Sequence, residues 1–151
     1  MKRLFPILFL ISAILIFNSC SDQSAPNTDD LQASVLQIQN YEIAAKTVGE
    51  KMKNGDDFHL IDVRTVEEND ESQIIGSKLM TLDQLNFYIV LDADISFDDE
   101  IVVYCRSGNR SKTAYDILTQ MGYKNVKSMA GGIKEWKSLG YNTCSKLDNT
   151  C

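Results

Sequence analysis

The sequence predicts an α/β fold in which helices cover both faces of a central, mostly parallel β-sheet. Phe58–Val63 and Ile101–Tyr104 are short runs of almost continuous apolar residues, which is typical of strands buried on both faces. Segments with apolar residues at helical spacing lie between such runs. Strands that alternate with helices favour a parallel sheet. The composition, 44% hydrophobic and 24% charged, is that of a globular domain.

The first predicted elements are a short strand and a helix. Val35–Ile38 is the strand candidate, and Asn40 is predicted to cap a helix over Glu42–Lys53. Asn54 and Gly55 follow this segment and are typical helix-ending residues.

The middle of the domain combines two strands with two helices. Phe58–Val63 is predicted to be a central strand, and the acidic segment Val66–Glu71 a short helix. Lys78–Met80 is predicted to be a brief strand. Thr81 is expected to cap a helix that continues through Tyr88.

The C-terminal part repeats this alternation. Ile101–Tyr104 is the clearest strand, and Ser111–Met121 is predicted to be a helix with one apolar face. Val126–Ser128 is the last strand candidate, and Gly131–Gly132 precede a final helix. One domain is therefore predicted over residues 34–142.

The N-terminal segment has the pattern of a bacterial lipoprotein precursor. Lys2 and Arg3 precede the apolar run Leu4–Phe17, which is shorter than the about 20 apolar residues of a transmembrane helix. Asn18–Cys20 then resembles a lipobox, although Phe17 and Asn18 depart from its usual residues. We expect residues 1–19 to be a lipoprotein signal peptide and Cys20 to be the lipidated residue. The alternatives are an ordinary signal peptide or an uncleaved anchor.

A polar stretch separates this segment from the domain. Residues 20–33 are rich in Ser, Asp, Asn and Gln, so they are predicted to be a flexible tether. The protein is then expected to be lipid-anchored in the bacterial cell envelope, facing the periplasm or the cell surface. Because the net charge is −6 and no basic stripe is present, nucleic acid is not an expected partner.

The chemistry is expected in the loop that joins the clearest strand to the next helix. Ligands bind where strands of such sheets end, and backbone N–H groups at a helix N-terminus attract anions. Gly108 permits the tight turn. Arg106 and Arg110 add positive charge, which together with the helix N-terminus lowers a thiol pKa. Cys105 is therefore predicted to be a thiolate nucleophile in an anion-binding loop.

Three motifs in order resemble those of rhodanese-like domains. Val102–Ser111 resembles the active-site loop of that family, Leu60–Arg64 its second hallmark, and Gly131–Ile133 with Trp136 its third. The resemblance covers roughly residues 35–141 and implies a three-layer α/β domain. It also implies a sulfurtransferase that works by a ping-pong reaction.

The resemblance assigns a role to each residue of the loop. Cys105 would take the outer sulfur of a sulfane donor such as thiosulfate, and a thiol or cyanide would accept it from the persulfide. The substrate-binding residues would be Arg106, Ser107, Gly108, Asn109 and Arg110. The two arginines would bind the donor's oxyanion or orient the loop. The segment Gln73–Ser77 departs from the family's His-Ile-Pro-Gly-Ala, which leaves donor preference open.

Other residues of these motifs are expected to be structural. Asp62 and Arg64 are interpreted as a pair at a strand end that supports the site. Ser111 is interpreted as a further supporting residue. His59 and Trp136 are interpreted as structural. No His and Cys stand at metal-ligand spacing, so no metal and no cofactor are expected.

Two other function classes stay open. Cys-dependent phosphatases of a related fold have five residues between Cys and Arg, whereas four separate Cys105 from Arg110. The shorter loop suits sulfur better than phosphate. A non-catalytic binding module is the second alternative, although such modules usually lack the Cys.

Cys144 and Cys151 lie beyond the last predicted helix, in a C-terminal tail assigned to residues 143–151. They could be free tail thiols, a disulfide or redox partners of Cys105. An exported chain meets an oxidising compartment, so we predict a disulfide. The protein is expected to be a monomer.

Overall fold

Seven strands and five helices make up residues 41–151, the part of the chain that the computed structural model describes. The strands are β1 (Glu42–Ile43), β2 (His59–Asp62), β3 (Gln73–Ile74), β4 (Lys78–Leu79), β5 (Glu100–Tyr104), β6 (Asn125–Met129) and β7 (Thr143–Cys144). The helices are α1 (Ala45–Asn54), α2 (Val66–Glu71), α3 (Leu85–Leu91), α4 (Asn109–Gln120) and α5 (Gly132–Ser138).

Five of the strands form a parallel sheet in the order β1-β6-β5-β2-β4. The register places His59 opposite Ile101 and Asp62 opposite Tyr104. The strand with the most continuous apolar sequence, β5, therefore lies at the centre. The predicted fold class, a mostly parallel sheet with helices on both faces, is confirmed.

The alternation of side chains along β5 divides the interior into two layers. Val102 and Tyr104 pack in one cluster with side chains of α1 and α5, among them Val48. Ile101 and Val103 pack in the other with side chains of α3 and α4. Each large apolar side chain buried in this way contributes about 1.5–3 kcal/mol, so both layers hold the carboxyl end of β5 in place.

The helix predicted over Glu42–Lys53 begins later than expected. Glu42 and Ile43 form the edge strand β1, which pairs in parallel with Ser128 and Met129 of β6. Spacing alone placed Ile43 on a helical face, but this strand pairing determines its conformation. The predicted end is confirmed, since Gly55 adopts a left-handed conformation after α1. The predicted strand Val35–Ile38, the Asn40 cap, the signal peptide, Cys20 and the tether lie outside the described residues.

The predicted cap at Thr81 is also wrong. The carbonyl of Thr81 accepts the N–H of Gln84 in a turn, and α3 begins only at Leu85. The side chain of Thr81 contacts Gln84 rather than a free backbone N–H of the helix.

The segment 143–151, assigned to a tail, contacts the domain. Thr143–Cys144 pair in antiparallel fashion with β3. Cys144 and Cys151 form a disulfide with their Cα atoms 4.9 Å apart. The hydroxyl of Ser145 and the N–H of Lys146 both donate to the carbonyl of Asp70, at 3.1 and 3.0 Å. This closed loop therefore packs on α2.

Residues 41–151 contain no helix of the length and apolarity that crossing a membrane requires.

Candidate active site

Cys105 follows the last residue of β5 and opens the turn that leads into α4. It is the free cysteine of the described residues, and only 1% of it is exposed. Its side chain continues the alternation of Ile101 and Val103, so it packs with the same apolar layer. The nucleophile predicted from sequence is thus held by the core at the carboxyl edge of the sheet.

Hydrogen-bond donors converge on the sulfur of Cys105. The N–H of Gly108 donates to Sγ at 3.2 Å. Burial by itself raises the pKa of this thiol, but hydrogen bonds from the backbone N–H groups of Ser111, Ser107 and Gly108 outweigh it, so the pKa lies below its usual value. Gly108 has φ of 108°, a conformation that a side chain would strain.

Ser111 fixes the far end of this turn. Its hydroxyl donates to the carbonyl of Gly108 at 2.9 Å and accepts from the hydroxyl of Ser128 at 2.8 Å. Ser111 and Ser128 are fully buried, so satisfied hydrogen bonds are required of them. The first turn of α4 is therefore tied to strand β6.

The Gly131–Gly132 pair lies directly against the loop. After it, the N–H of Ile133 donates to the carbonyl of Cys105 at 2.9 Å, and the N–H of Lys134 to that of Arg106 at 3.2 Å. A Cβ on Gly132 would lie 2.3 Å from the Cys105 carbonyl oxygen, and φ there is 59°. Glycine is therefore required for α5 to hold the loop.

The guanidinium of Arg110 forms an ion pair with a carboxylate. Its two terminal nitrogens donate to the two oxygens of Glu68 at 2.7 and 2.8 Å. This bidentate bond, aided by the N–H of Thr65 and opposed by partial burial, lowers the pKa of Glu68 to about 2. Of the two roles implied for Arg110, orientation of the loop fits this arrangement better than donor binding.

Glu68 is a site residue that the sequence analysis missed. The hydroxyl of Thr65 accepts the N–H of Glu68, and the Glu68 carboxylate accepts the N–H of Thr65. This capping box was visible as Thr-x-x-Glu. It predicts the start of α2 but not the partner of Glu68 on α4.

Asp62 and Arg64 form a buried ion pair at the end of β2. The Nε of Arg64 donates to Asp62 Oδ1 at 2.9 Å, and its terminal nitrogens donate to the carbonyls of Glu68 and Ser72 at 3.0 and 2.6 Å. Asn69 donates to the second Asp62 oxygen at 3.1 Å. The pair thereby holds the C-terminal part of α2 through the carbonyls of Glu68 and Ser72, and it helps to position Glu68.

The remaining predicted loop residues are solvent-exposed. Arg106, Ser107 and Asn109 present their side chains outward, and Arg106 lines a cleft next to the loop.

The two residues interpreted as structural lie away from the sulfur of Cys105. His59 contacts Asp99 at 3.3 Å, at the opposite end of the sheet from Cys105. Trp136 is buried and donates to the carbonyl of Asn142. Within the described residues, no three His, Cys, Asp or Glu side chains are grouped to hold a metal ion.

Curated proteins similar to this chain carry sulfurtransferase names. A "Sulfurtransferase" of Allochromatium vinosum is 30% identical over 99 residues, which cover 66% of this chain and 90% of that protein. "Thiosulfate sulfurtransferase PspE" of Escherichia coli is 35% identical over 77 residues, covering 51% of this chain and 72% of that protein. The match covers only 61% of a mitochondrial relative from Schizosaccharomyces pombe and 50% of a Bacillus subtilis relative.

Solved structures share the fold. The BH2092 protein of Bacillus halodurans superimposes with a TM-score of 0.68 at 22% identity, over 80% of this chain and 88% of that one. Human single-domain sulfurtransferase TSTD1 gives 0.61 at 21% identity, over 65% and 96%. The family model for the rhodanese-like domain matches residues 45–139, which include the Cys105 loop, the Asp62–Arg64 pair and the Gly131–Gly132 segment. This chain belongs to the rhodanese-like domain family.

Proposed function

We propose that this protein is a sulfurtransferase in which Cys105 carries a sulfane sulfur as a persulfide from a donor such as thiosulfate to a thiol or cyanide. The observation that carries the proposal is the free thiol of Cys105, which is buried at the base of a turn whose N–H groups surround its sulfur. These donors lower the pKa of the thiol and so favour the nucleophilic thiolate at neutral pH.

The first half of the reaction uses this thiolate. Sγ of Cys105 bonds to the outer sulfur of thiosulfate, the sulfur–sulfur bond of the donor breaks, and its electron pair leaves with sulfite. The persulfide that remains carries a negative charge. The N–H groups of Ser107, Gly108 and Ser111 already face this region, and they would stabilise that charge without rearrangement.

The test is turnover of thiosulfate and cyanide to thiocyanate and sulfite. The wild-type chain should turn over, and Cys105→Ser should not. Hydrolysis of an aryl phosphate is measured in parallel, because the four-residue spacing favours sulfur over phosphate. Phosphatase activity that depends on Cys105, or the absence of sulfur transfer with every sulfane donor tried, would contradict the proposal. The second result would favour a binding module.

We further propose that Cys20 anchors this domain to a membrane of the cell envelope as a monomer. The support for the anchor is the sequence pattern of residues 1–20. Labelling with an acyl precursor should mark the wild-type protein and not Cys20→Ala. An unlabelled wild-type protein would contradict the anchor.

A further inference from the structure

A cleft of about 330 Å³ opens beside the Cys105 loop. Arg106 of the loop and Ile133, Lys134 and Lys137 of α5 line one side of it. The N–H of Ile133 donates to the main-chain carbonyl of Cys105, so the cleft adjoins the backbone of the loop that carries the nucleophile. The rest of the lining comes from the α2 region and includes Glu71. A volume of this size is at the lower end of small-ligand sites.

Three of the cations that line this cleft lack carboxylate partners. Within residues 41–151, Arg106, Lys134 and Lys137 form no salt bridge. Six lysines elsewhere in the described chain pair with carboxylates, whereas Lys53 does not; the six are Lys46, Lys51, Lys78, Lys112, Lys124 and Lys146. In a chain of net charge −6, unpaired positive charge is thus concentrated next to Cys105.

The negative groups of the cleft do not cancel this charge. Glu68 is bound by Arg110 and Arg64 by Asp62, so each of these pairs is neutral. Three cations then face the single unpaired carboxylate of Glu71. Lys134 and Lys137 are three residues apart on α5, which places them on one side of the helix.

We infer that this cleft binds the sulfur acceptor, and that the acceptor is a low-molecular-weight thiol that bears carboxylates. The inference rests on the proposed function, because it assigns the second half of that reaction. Thiosulfate is small enough for the loop itself, whereas the cleft has room for a molecule of several carbons. The carboxylates would contact Lys134 and Lys137, and the carbon chain would lie on Ile133.

The transfer step follows from this placement. The thiolate sulfur of the acceptor bonds to the outer sulfur of the Cys105 persulfide. The bond between that sulfur and Sγ breaks, and its electron pair returns to Sγ as the thiolate. The acceptor leaves as a persulfide anion, so charge is conserved. No oxidant or reductant is needed.

The experiment compares three small thiols that differ in charge: mercaptosuccinate, 2-mercaptoethanol and cysteamine. The full chain is purified in detergent as wild type, as the double variant Lys134→Gln/Lys137→Gln and as the control Lys124→Gln. Lys124 is an exposed lysine that pairs with Asp98 and does not line the cleft. Ping-pong kinetics give kcat/KM for the acceptor separately from that for thiosulfate. The ratio of variant to wild type cancels the intrinsic reactivity of each thiol.

We expect the double variant to lower kcat/KM for mercaptosuccinate about fivefold, because two exposed ion pairs are lost. In the double variant, kcat/KM for 2-mercaptoethanol should not change and kcat/KM for cysteamine should rise. The control Lys124→Gln should have the wild-type kcat/KM for all three thiols. In the wild type, kcat/KM for mercaptosuccinate should fall relative to kcat/KM for the other two thiols as ionic strength rises, since salt screens exposed charges. This salt measurement needs no substitution and so does not depend on how the variant folds.

Two results would overturn the inference. One is an equal change for all three thiols. The other is a loss confined to kcat/KM for thiosulfate, which would assign the cations to the donor. A wild-type protein that never acquires sulfur at Cys105 would instead contradict the proposed function, and mass spectrometry of the thiosulfate-treated chain separates that failure from the other two.

Discussion

The thiol of Cys105 is subject to two opposing effects. Burial disfavours its charged form, whereas N–H groups of the turn favour it, and their sum lowers the pKa. The stabilisation of the thiolate by these N–H groups could be predicted from the sequence motif, because a helix N-terminus follows Cys105. The motif did not contain the link from Ser128 to Ser111, which joins residues on different elements.

The pH dependence of Cys105 reactivity tests this balance. The rate of alkylation by iodoacetamide should rise with pH as the thiolate forms, with a midpoint below that of an ordinary cysteine because the pKa of Cys105 is lowered. Ser111→Ala should move the midpoint upward, because the Ser111 hydroxyl holds the carbonyl of Gly108, and the N–H of Gly108 donates to Sγ of Cys105. Ser96→Ala also removes one hydrogen bond, but it precedes β5, at the end of that strand far from Cys105, and should leave the midpoint unchanged. Identical midpoints in wild type and Ser111→Ala would contradict the assigned cause.

Gly132 tests the contact between α5 and the loop. Gly132→Ala combines left-handed strain with a clash against the Cys105 carbonyl, whereas Gly140→Ala has φ of 78° and nothing within 4 Å. Gly140→Ala should therefore cost about 1 kcal/mol of unfolding free energy. Gly132→Ala should cost about 1–3 kcal/mol more and reduce sulfur transfer. Urea denaturation and cyanide turnover measure the two effects. An equal loss of unfolding free energy in both variants would contradict the prediction, because it would show that the clash at position 132 is relieved.

At the level of elements, the short helix α2 connects several parts of the site. Its Glu68 holds Arg110 of α4, the carbonyls of Glu68 and Ser72 at its C-terminal side accept from Arg64, and its Asp70 carbonyl accepts from the disulfide loop. A helix of six residues is too short to be stable alone. These tertiary contacts, together with its capping box, must therefore account for its order.

The ion pair between Glu68 and Arg110 predicts an acid-dependent loss of stability. The pKa of Glu68 is lowered to about 2, against about 4.3 in an unfolded chain. Its contribution is therefore fully present above pH 4.3 and is lost as the pH falls towards 2. Both side chains are about a third exposed, so Glu68→Gln should cost only about 1 kcal/mol at pH 7.

This difference should disappear near pH 2 in urea titrations followed by circular dichroism. Glu67→Gln is the matched control, because Glu67 precedes Glu68 on the same helix, is exposed and has no salt bridge within the described residues. A difference between wild type and Glu68→Gln that persists at pH 2 would contradict the assigned pKa.

The disulfide between Cys144 and Cys151 should stabilise the C-terminal segment. Loop entropy gives roughly 2.5 kcal/mol for a closed loop of about eight residues, and that segment packs on α2. Cys144→Ser/Cys151→Ser should therefore lower the unfolding free energy and speed amide exchange in α2. We expect little change in sulfur transfer. A large fall in turnover with thiol acceptors, in a folded variant, would favour a relay of sulfur through one of these thiols.

Elements that local pattern determines were predictable, whereas pairing between distant segments was not. Continuous apolar runs located β2 and β5, and α2 has the predicted bounds Val66–Glu71. The start of α1 was misplaced, because Ile43 fits a helical face and an edge strand equally well and only β6 decides between them. Glu68, Lys134 and Lys137 were missed for the same reason, since their roles depend on neighbours far away in sequence.

For the whole molecule, the sheet order explains why one turn can carry the chemistry. β2, β5 and β6 are parallel neighbours, so their carboxyl ends meet at one edge. The Asp62–Arg64 pair, the Cys105 turn and the Gly131–Gly132 segment follow these three strands. Segments separated by up to about 70 residues of sequence thereby form one site, which agrees with the general location of ligands in such sheets.

The central claim is that Cys105 carries sulfur, and the mass of the intact protein tests it most directly. The full chain is treated with thiosulfate, freed of small molecules and measured without reductant, with Cys105→Ser beside it. The account predicts that the wild type gains the mass of one sulfur atom, that peptide mapping places it on Cys105, that a thiol acceptor removes it, and that Cys105→Ser gains nothing. A wild-type mass that does not change with any sulfane donor, or an equal gain in Cys105→Ser, would contradict the account.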